Sequence, residues 1–370
     1  MKLRSSTRVM LLLLVLVVLL NVAARFCTGA VDFYIAHIFP VYPGIWSRVT
    51  GLVPFSVGEW MIVLGIVLAV IALPLYLTLM LVFRRDADKK AKAASIYGRF
   101  YGWTITVILL VVTMRFTVLY QGTKLSDTIG EVSYTDQQVL DVTQQLVDEA
   151  NDLATQVARD DSGAFILTDE LMPEAKACMA RLAKDYPQFA GWYPDAKPIY
   201  HSYFFSQQLL LGIYYPHSME ANYTPDVYPI NLPCTICHEY THLKGNIFED
   251  EAGYYAYLAC MTSDSADFRY SAVLSALEWL EPDFGDDEAA WERYSEILAT
   301  LSVEADTDLY AFVPDEYWED HADEEVIPTA IVSDTANIVM DQSLKINGVV
   351  DGSHSYHGMT ALLLHHLIDE

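Results

Sequence analysis

The chain has few cysteines and few basic residues for its length. Only 5 cysteines are spread over 370 residues, which is too few and too scattered for the disulfide framework of a small secreted domain. Lys and Arg total 22 against 49 Asp and Glu, and the formal net charge is −27. Such a chain lacks the basic surface that binds phosphate groups, so nucleic acid is excluded as a partner. Repeats are absent too, which excludes a repeat architecture.

Three apolar runs occupy the first third of the chain. They cover about residues 9–24, 61–83 and 103–120, and the second and third are long enough to cross a bilayer. The first run is short and ends in Val22-Ala23-Ala24, so a cleaved signal peptide is the alternative to a retained span. We predict a membrane region over residues 1–121 that contacts the lipid bilayer through three helices.

The basic residues indicate the orientation of these spans. Six lie between the second and third runs, and two lie between the first and second: Arg84, Arg85, Lys89, Lys90, Lys92 and Arg99, against Arg25 and Arg48. Because positively charged loops stay in the cytoplasm, the amino terminus is predicted to be cytoplasmic and residues 122–370 extracytoplasmic. Cleavage of the first run would leave this orientation unchanged. The chain is therefore predicted to be a multi-pass plasma-membrane protein.

The carboxy-terminal domain is predicted to be mainly helical. Apolar residues recur at helical spacing from residue 134 to 159, behind Thr135 or Asp136 as the N-cap. A small β-sheet is the one other expected element, between residues 199 and 230. Within it, residues 219–223 are a candidate edge strand that would hold an extended substrate, and an ordinary surface loop is the alternative.

The motif His238-Glu239-Tyr240-Thr241-His242 is the most informative feature of the chain. Residues four apart stack on one face of a helix, so both imidazoles can bind one zinc ion. Glu239 lies one step round the helix, beside the position that a catalytic zinc site keeps open for water. A carboxylate there can take a proton from that water and pass it to a leaving amine. The motif therefore predicts a zinc-dependent peptide hydrolase with Glu239 as the catalytic base.

A catalytic zinc site needs a third protein ligand, and the residues after the motif offer one. Gly245 allows the motif helix to end, and a new helix begins with Glu249, Asp250 and Glu251. Acids in a first turn also suit the helix dipole, which is the structural alternative. Glu249 and Glu251 lie about 200° apart round a helix, so only one can face the metal. We favour Glu249, with Glu251 as the alternative ligand or as a partner that orients a histidine.

A second motif overlaps the first. Cys234-Thr235-Ile236-Cys237-His238 matches C-x-x-C-H, the attachment sequence of c-type haem. A haem protein would use both cysteines as thioethers and His238 as an axial ligand. Haem attachment does not explain Glu239, His242 or the acidic helix that follows. A third interpretation makes the cysteines a disulfide or small apolar residues.

Further segments flank the motif in a recognisable order. They are Gly212, Tyr214, Pro216, residues 220–222, 237–242, Gly245, residues 249–252 and 256–260. Together they resemble an uncharacterised family of bacterial membrane proteins, the domain of unknown function 3810. The resemblance extends over nearly the whole chain and implies a membrane-anchored, zincin-like protein without a known substrate. The E-x-x-A spacing at Glu249 is also similar to the third-ligand helix of membrane-embedded zinc peptidases, which favours Glu249 over Glu251.

The sequence thus predicts a mainly α fold, with three amino-terminal transmembrane helices followed by a mostly helical, zincin-like extracytoplasmic domain. The expected function is a membrane-anchored Zn²⁺ metallopeptidase that acts on a protein or peptide substrate, with His238, His242 and Glu249 as ligands. The alternatives are a c-type haem protein and an inactive protein with a structural metal. Candidates for stabilising the oxyanion of the tetrahedral intermediate are Tyr356, His217 and His354.

Overall fold

The structure, a computed structural model, describes residues 5–130, 134–347, 349 and 357–369. The helices are α1 (Ser5–Ala24), α2 (Thr28–His37), α3 (Arg48–Thr50), α4 (Val57–Val82), α5 (Ala87–Val112), α6 (Leu125–Ile129), α7 (Asp136–Ala154), α8 (Leu171–Leu182), α9 (Ser202–Ser206), α10 (Leu232–Leu243), α11 (Glu249–Met261), α12 (Ala266–Trp279), α13 (Glu288–Leu298), α14 (Val303–Leu309), α15 (Asp315–Asp320), α16 (Thr329–Asn347) and α17 (His357–Asp369). The strands are β1 (Ala158–Arg159), β2 (Phe165–Ile166), β3 (Lys197–Pro198), β4 (Gly212–Tyr215) and β5 (Glu220–Tyr223). The predicted mainly α fold is confirmed.

Three helices are long and apolar enough to cross a membrane. They are α1, α4 and the helical stretch that begins with α5 and continues through a π-helical turn, Thr113–Thr117. Most large apolar side chains of α1 and α4 are exposed, as expected of helices that face lipid. The prediction of three membrane helices is therefore confirmed.

The predicted loop between the second and third spans is wrong in its extent. Residues 87–102 form the first half of α5, and only the turn at residues 83–86 separates it from α4. The side chain of Asp86 caps the new helix by accepting a hydrogen bond from the Lys89 amide at 3.0 Å. Ala and Lys are good helix formers, so the charged segment extends the span as a helix.

The carboxy-terminal part has a core of packed helices around α10 and α11. Helix α10 packs against α8, α11 and α12, and α11 also packs against α17. Residues 250–260 of α11 are all buried. Small and aromatic residues of the helix itself occupy all of its faces, so every face can pack against a neighbour. Helix α7 begins at the predicted cap, where Thr135 and Gln138 form a capping box. The two helices that carry the motif residues are therefore held at the centre of the fold.

A three-stranded sheet lies against α10. Its order is β3-β5-β4, with β3 parallel and β4 antiparallel to β5. Residues 219–223, the candidate edge strand, therefore supply the central strand, and that prediction is wrong. Strand pairing order depends on contacts between distant segments, which the spacing of residues does not reveal. The strand at the edge nearest to the motif is β4, since Gly212 lies against Glu239.

A buried ion pair joins the sheet to the start of α4. Glu220 of β5 accepts hydrogen bonds from Lys197 Nζ at 2.5 Å and from the Gly58 amide at 2.7 Å. Lys197 also donates to the carbonyl oxygens of Thr50 and Phe55. The ion-paired side chains are 6% and 2% exposed, so neither charge is solvated by water. This pair ties the carboxy-terminal part to the membrane helices.

We expect Glu220→Ala to destabilise the protein by about 3–5 kcal/mol, because it leaves the Lys197 charge buried and unpaired. Denaturant unfolding of the purified chain in detergent measures this change. The matched control is Glu296→Ala, which removes an ion pair with Arg293 whose side chains are 59% and 57% exposed. That change is expected to cost less than about 1 kcal/mol. Equal losses in the two variants would contradict the structural role of the buried pair.

Candidate metal centre

Helix α10 presents the two motif histidines and ends at a glycine turn. Pro233 lies in its first turn, where the missing amide proton is no loss. The helix ends before Gly245, whose φ of +98° is in the left-handed region. A Cβ at this position would also meet the Phe39 ring at 2.9 Å. Both the backbone turn and the packing therefore require glycine, and the chain is directed back towards α10.

Helix α11 begins at Glu249, four residues after that turn. Its first-turn carboxylate reaches both imidazoles. The Glu249 Oε2 atom lies 3.1 Å from His238 Nε2 and 3.4 Å from His242 Nε2. The two rings stand at 88° with centroids 4.7 Å apart. One ligand atom from each of the three residues therefore lies within 4.8 Å of the others.

This geometry fits a zinc ion. Nitrogen and oxygen ligands lie about 2.0–2.2 Å from zinc in a tetrahedral arrangement, so two ligand atoms are separated by about 3.4 Å. The two contacts made by Glu249 are close to that separation. The side chains of His238 and Glu249 are 23% and 25% exposed, and that of His242 is 6% exposed. The group is thus mostly buried, and two of its three side chains are partly exposed to solvent.

The orientation of His242 is fixed by its second ring nitrogen. Nδ1 lies 2.8 Å from the carbonyl oxygen of Asn246, so an Nδ1–H donates there and Nε2 is left to bind a metal. The Asn246 side chain in turn donates to Glu251 Oε2 at 2.9 Å. The other Glu251 oxygen accepts from the Leu125 amide at 2.6 Å. Glu251 therefore supports the turn between α10 and α11, and Glu249 is the acid that faces both histidines.

Charge interactions within the group are strong. Burial would raise the pKa of Glu249, but His242 and His238 outweigh this effect and hold that pKa well below its usual range. For His242, burial acts to lower the pKa, and the charge of Glu249 reverses this and raises the pKa to about 9. Burial raises the pKa of Glu251 to about 7. Glu249 is therefore the anionic member of the group.

Glu239 lies beside this group with one oxygen unused. The side chain is buried, and its Oε2 has no hydrogen-bond partner among the described residues. Burial raises the pKa of Glu239 to about 8. Buried carboxyl oxygens without a partner are uncommon in proteins, and Asp226 Oδ2 is the other one among the described residues. Glu239 also lies close enough to His242 and Glu249 to interact with their charges.

Two neighbours of the group were not predicted. Gly212 of β4 forms a wall against Glu239, since a Cβ there would lie 2.8 Å from Oε1. The ring of Tyr214 lies 6.2 Å from that of His242. Both residues belong to the segments that carry the family resemblance, and that membership was the one sequence signal that pointed to them. Their contact with the motif depends on the pairing of β4 with β5.

The oxyanion candidates receive no support. His217 Nε2 lies 3.0 Å from the carbonyl oxygen of Gly58, and its ring contacts Tyr215, so this histidine is engaged at the start of α4. Tyr356 and His354 lie outside the described residues. The stabiliser of the oxyanion therefore stays unassigned.

Comparison with known proteins agrees with this description at the family level. The sequence model of a family described as a protein of unknown function (DUF3810) matches residues 34–364. The chain belongs to this family. The match includes α4, α5 and both helices of the candidate metal centre. No curated protein and no solved structure matches the chain. The resemblance predicted from the sequence is confirmed, and the family itself carries no known activity.

We expect the two acids to differ in their effect on metal binding. Glu249→Gln removes the anionic ligand atom and is expected to abolish tight zinc binding. Glu251→Gln weakens only the support of the His242 turn, and a loss of about 10–100-fold in affinity is expected. Titration of each purified variant against a competing chelator measures its affinity for zinc. A larger loss in the Glu251 variant would contradict the assignment.

Proposed function

We propose that the protein is a membrane-anchored zinc metallopeptidase that hydrolyses peptide bonds at the site formed by His238, His242 and Glu249. The observation that carries the proposal is the convergence of two imidazoles on one carboxylate, next to the buried side chain of Glu239, whose Oε2 has no hydrogen-bond partner among the described residues. A purely structural metal site does not require an additional buried carboxyl group, such as that of Glu239, beside its ligands. Two imidazoles and one carboxylate suit zinc, whereas Ca²⁺ and Mg²⁺ prefer oxygen ligands alone.

The residues divide the chemistry between them. Zinc, when bound, would polarise the scissile carbonyl group and lower the pKa of a water molecule. Glu239 takes a proton from that water as it attacks the carbonyl carbon. The same carboxyl group then donates the proton to the leaving amine nitrogen as the C–N bond breaks. Burial of Glu239 raises its pKa, which is the direction that suits a carboxyl group that must both accept and donate a proton.

Strand β4 is suited to hold the substrate. The Thr224 amide donates to Leu211 O, and antiparallel hydrogen bonding alternates along a strand. The backbone groups of Gly212 and Tyr214 therefore point away from β5, towards the free edge. A substrate chain added to this edge would pass beside Glu239, which touches Gly212.

The haem alternative is disfavoured by the position of the cysteines. Cys237 is fully buried and its Sγ lies 4.0 Å from the Ala175 carbonyl oxygen in α8, and Cys234 is 5% exposed. Haem attachment requires thiols that face a cofactor, and both of these face the helix core.

The proposed location is the plasma membrane with the site outside the cell, as the positive-inside rule indicates.

We expect Glu239→Gln to keep the metal and to lose about 10²–10⁴-fold in peptide cleavage, because the amide cannot accept the proton. Metal analysis of the purified full chain and cleavage of casein or peptide mixtures measure the two properties. His242→Ala is the control that should lose both. Metal in the wild type and in Glu239→Gln, with cleavage in neither, would indicate a structural site. Undiminished cleavage by the Glu239 variant would contradict the proposed base.

A second variant tests the close contact between Gly212 and Glu239. Gly212→Ala places a Cβ 2.8 Å from Glu239 Oε1 and 2.8 Å from Thr235 Cγ2, so Glu239 must move. We expect cleavage to fall by about 10²-fold, since displacing a catalytic group by about 1 Å has that effect, while zinc content is unchanged. Gly29→Ala is the matched control, because nothing lies within 4 Å of its added Cβ. Loss of zinc in Gly212→Ala would show that the wall supports the metal group instead.

A further inference from the structure

The candidate metal centre rests directly on the ends of two membrane helices. Tyr120 lies in the helical stretch that continues α5 and packs its ring against Phe248 with centroids 5.7 Å apart, and Phe248 immediately precedes Glu249. On the other side, Tyr215 of β4 lies against Gly58 in the first turn of α4, where a Cβ would come within 2.5 Å of the ring. No linker separates the site from the spans, so its height above the membrane is fixed.

The segment between the first two spans, residues 25–56, extends the lipid boundary beneath the site. Nine of its large apolar side chains are exposed: Phe26, Phe33, Ile38, Val41, Ile45, Trp46, Val49, Leu52 and Phe55. This much apolar surface is rare in contact with water and is expected where a chain enters a bilayer. The buried side of the segment contacts the site, because Phe39 packs on Gly245 and Ser47 donates to Met219 O at 2.7 Å.

Strand β4 gives the distance between the site and this boundary. Gly212 touches Glu239, and Tyr215, three residues later, touches the first turn of α4. At about 3.4 Å per residue the two points are about 10 Å apart. Arg115 donates to His217 O at 3.3 Å and His217 Nε2 lies 3.0 Å from Gly58 O, so β4 ends beside the first turn of α4. A chain lying along β4 would therefore reach the bilayer within about three or four residues.

We propose that the substrate is a polypeptide with its own membrane anchor, cut within the first few residues outside the bilayer. This inference rests on the proposed peptidase function. Antiparallel pairing is the more stable kind, and β4 runs from Glu239 towards the membrane. The substrate chain then runs from the membrane towards Glu239, so its anchor precedes the scissile bond. Cleavage releases the carboxy-terminal part of the substrate from the membrane.

The test uses the full chain in proteoliposomes with three quenched fluorescent reporters that share one cleavage sequence. The first joins this sequence to an amino-terminal transmembrane helix through about 4 residues, and the second through about 24 flexible residues. The third has no anchor. Glu239→Gln proteoliposomes give the background, and mass spectrometry locates the cleaved bond. The second reporter controls for concentration in the membrane, because both anchored reporters are equally confined to it.

We expect the short-spacer reporter to be cleaved several-fold faster than the long-spacer one, because the short spacer holds the cleavage sequence at the height of the site and the long flexible spacer spreads it over a wider range of heights. The unanchored peptide should be slower still. Equal cleavage of the two anchored reporters, or of the unanchored peptide at matched concentration, would overturn the inference and leave the peptidase function standing. Absence of Glu239-dependent cleavage of all three reporters, from protein that contains zinc, would overturn both.

Discussion

The candidate site depends on one contact, the approach of the Glu249 carboxylate to the imidazoles of His238 and His242. An isolated buried carboxylate is costly, and so are two imidazoles held side by side. The carboxylate and the imidazoles each offset the cost of burying the other, and a divalent cation would accept a ligand atom from all three side chains. The contact exists because Gly245 turns the chain through a left-handed conformation that other residues rarely adopt. The first turn of α11 is thereby placed under the end of α10.

The second constraint is the attachment of this site to the membrane helices. The hydrogen bonds that the Lys197–Glu220 pair makes to Thr50, Phe55 and Gly58 cross the boundary between the two parts. The bonds from the amides of Tyr200 and His201 to the Glu59 carboxylate cross it too, and so does the Phe248–Tyr120 contact. Each joins residues more than 100 positions apart in the chain. The membrane helices are therefore part of the support of the site. We expect the candidate metal centre to keep a constant height above the bilayer.

Features that depend on neighbouring residues were predictable from the sequence. The spans follow from apolar length, the start of α7 from its cap, and the metal group from the spacing of the motif, Gly245 and Glu249. The helical angle indicated that only one of Glu249 and Glu251 could face the histidines, and the E-x-x-A spacing favoured Glu249, which is the acid that lies against both rings. Its role as a metal ligand stays a prediction until a metal is measured.

Features that depend on distant contacts were not predictable. Residues 219–223 were expected at a sheet edge and lie in its centre, because β3 pairs with β5 across 24 intervening residues. One of the two partners of Glu251 is the Leu125 amide, which no local pattern indicates. The contact between Gly212 and Glu239 also joins residues that are far apart in the chain, so no local pattern indicates it. Residues 87–102 were misassigned for a different reason, since charge marks a cytoplasmic segment but does not distinguish a helix from a loop.

X-ray absorption spectroscopy of the zinc-loaded protein tests the central claim most directly, because it reports the atoms bound to the metal. We predict a first shell of nitrogen and oxygen at about 2.0–2.1 Å, with the multiple scattering of two imidazole rings. Sulfur scattering at about 2.3 Å would show that the buried cysteines bind the metal. That result, or a first shell with only one imidazole, would contradict the assignment of His238, His242 and Glu249.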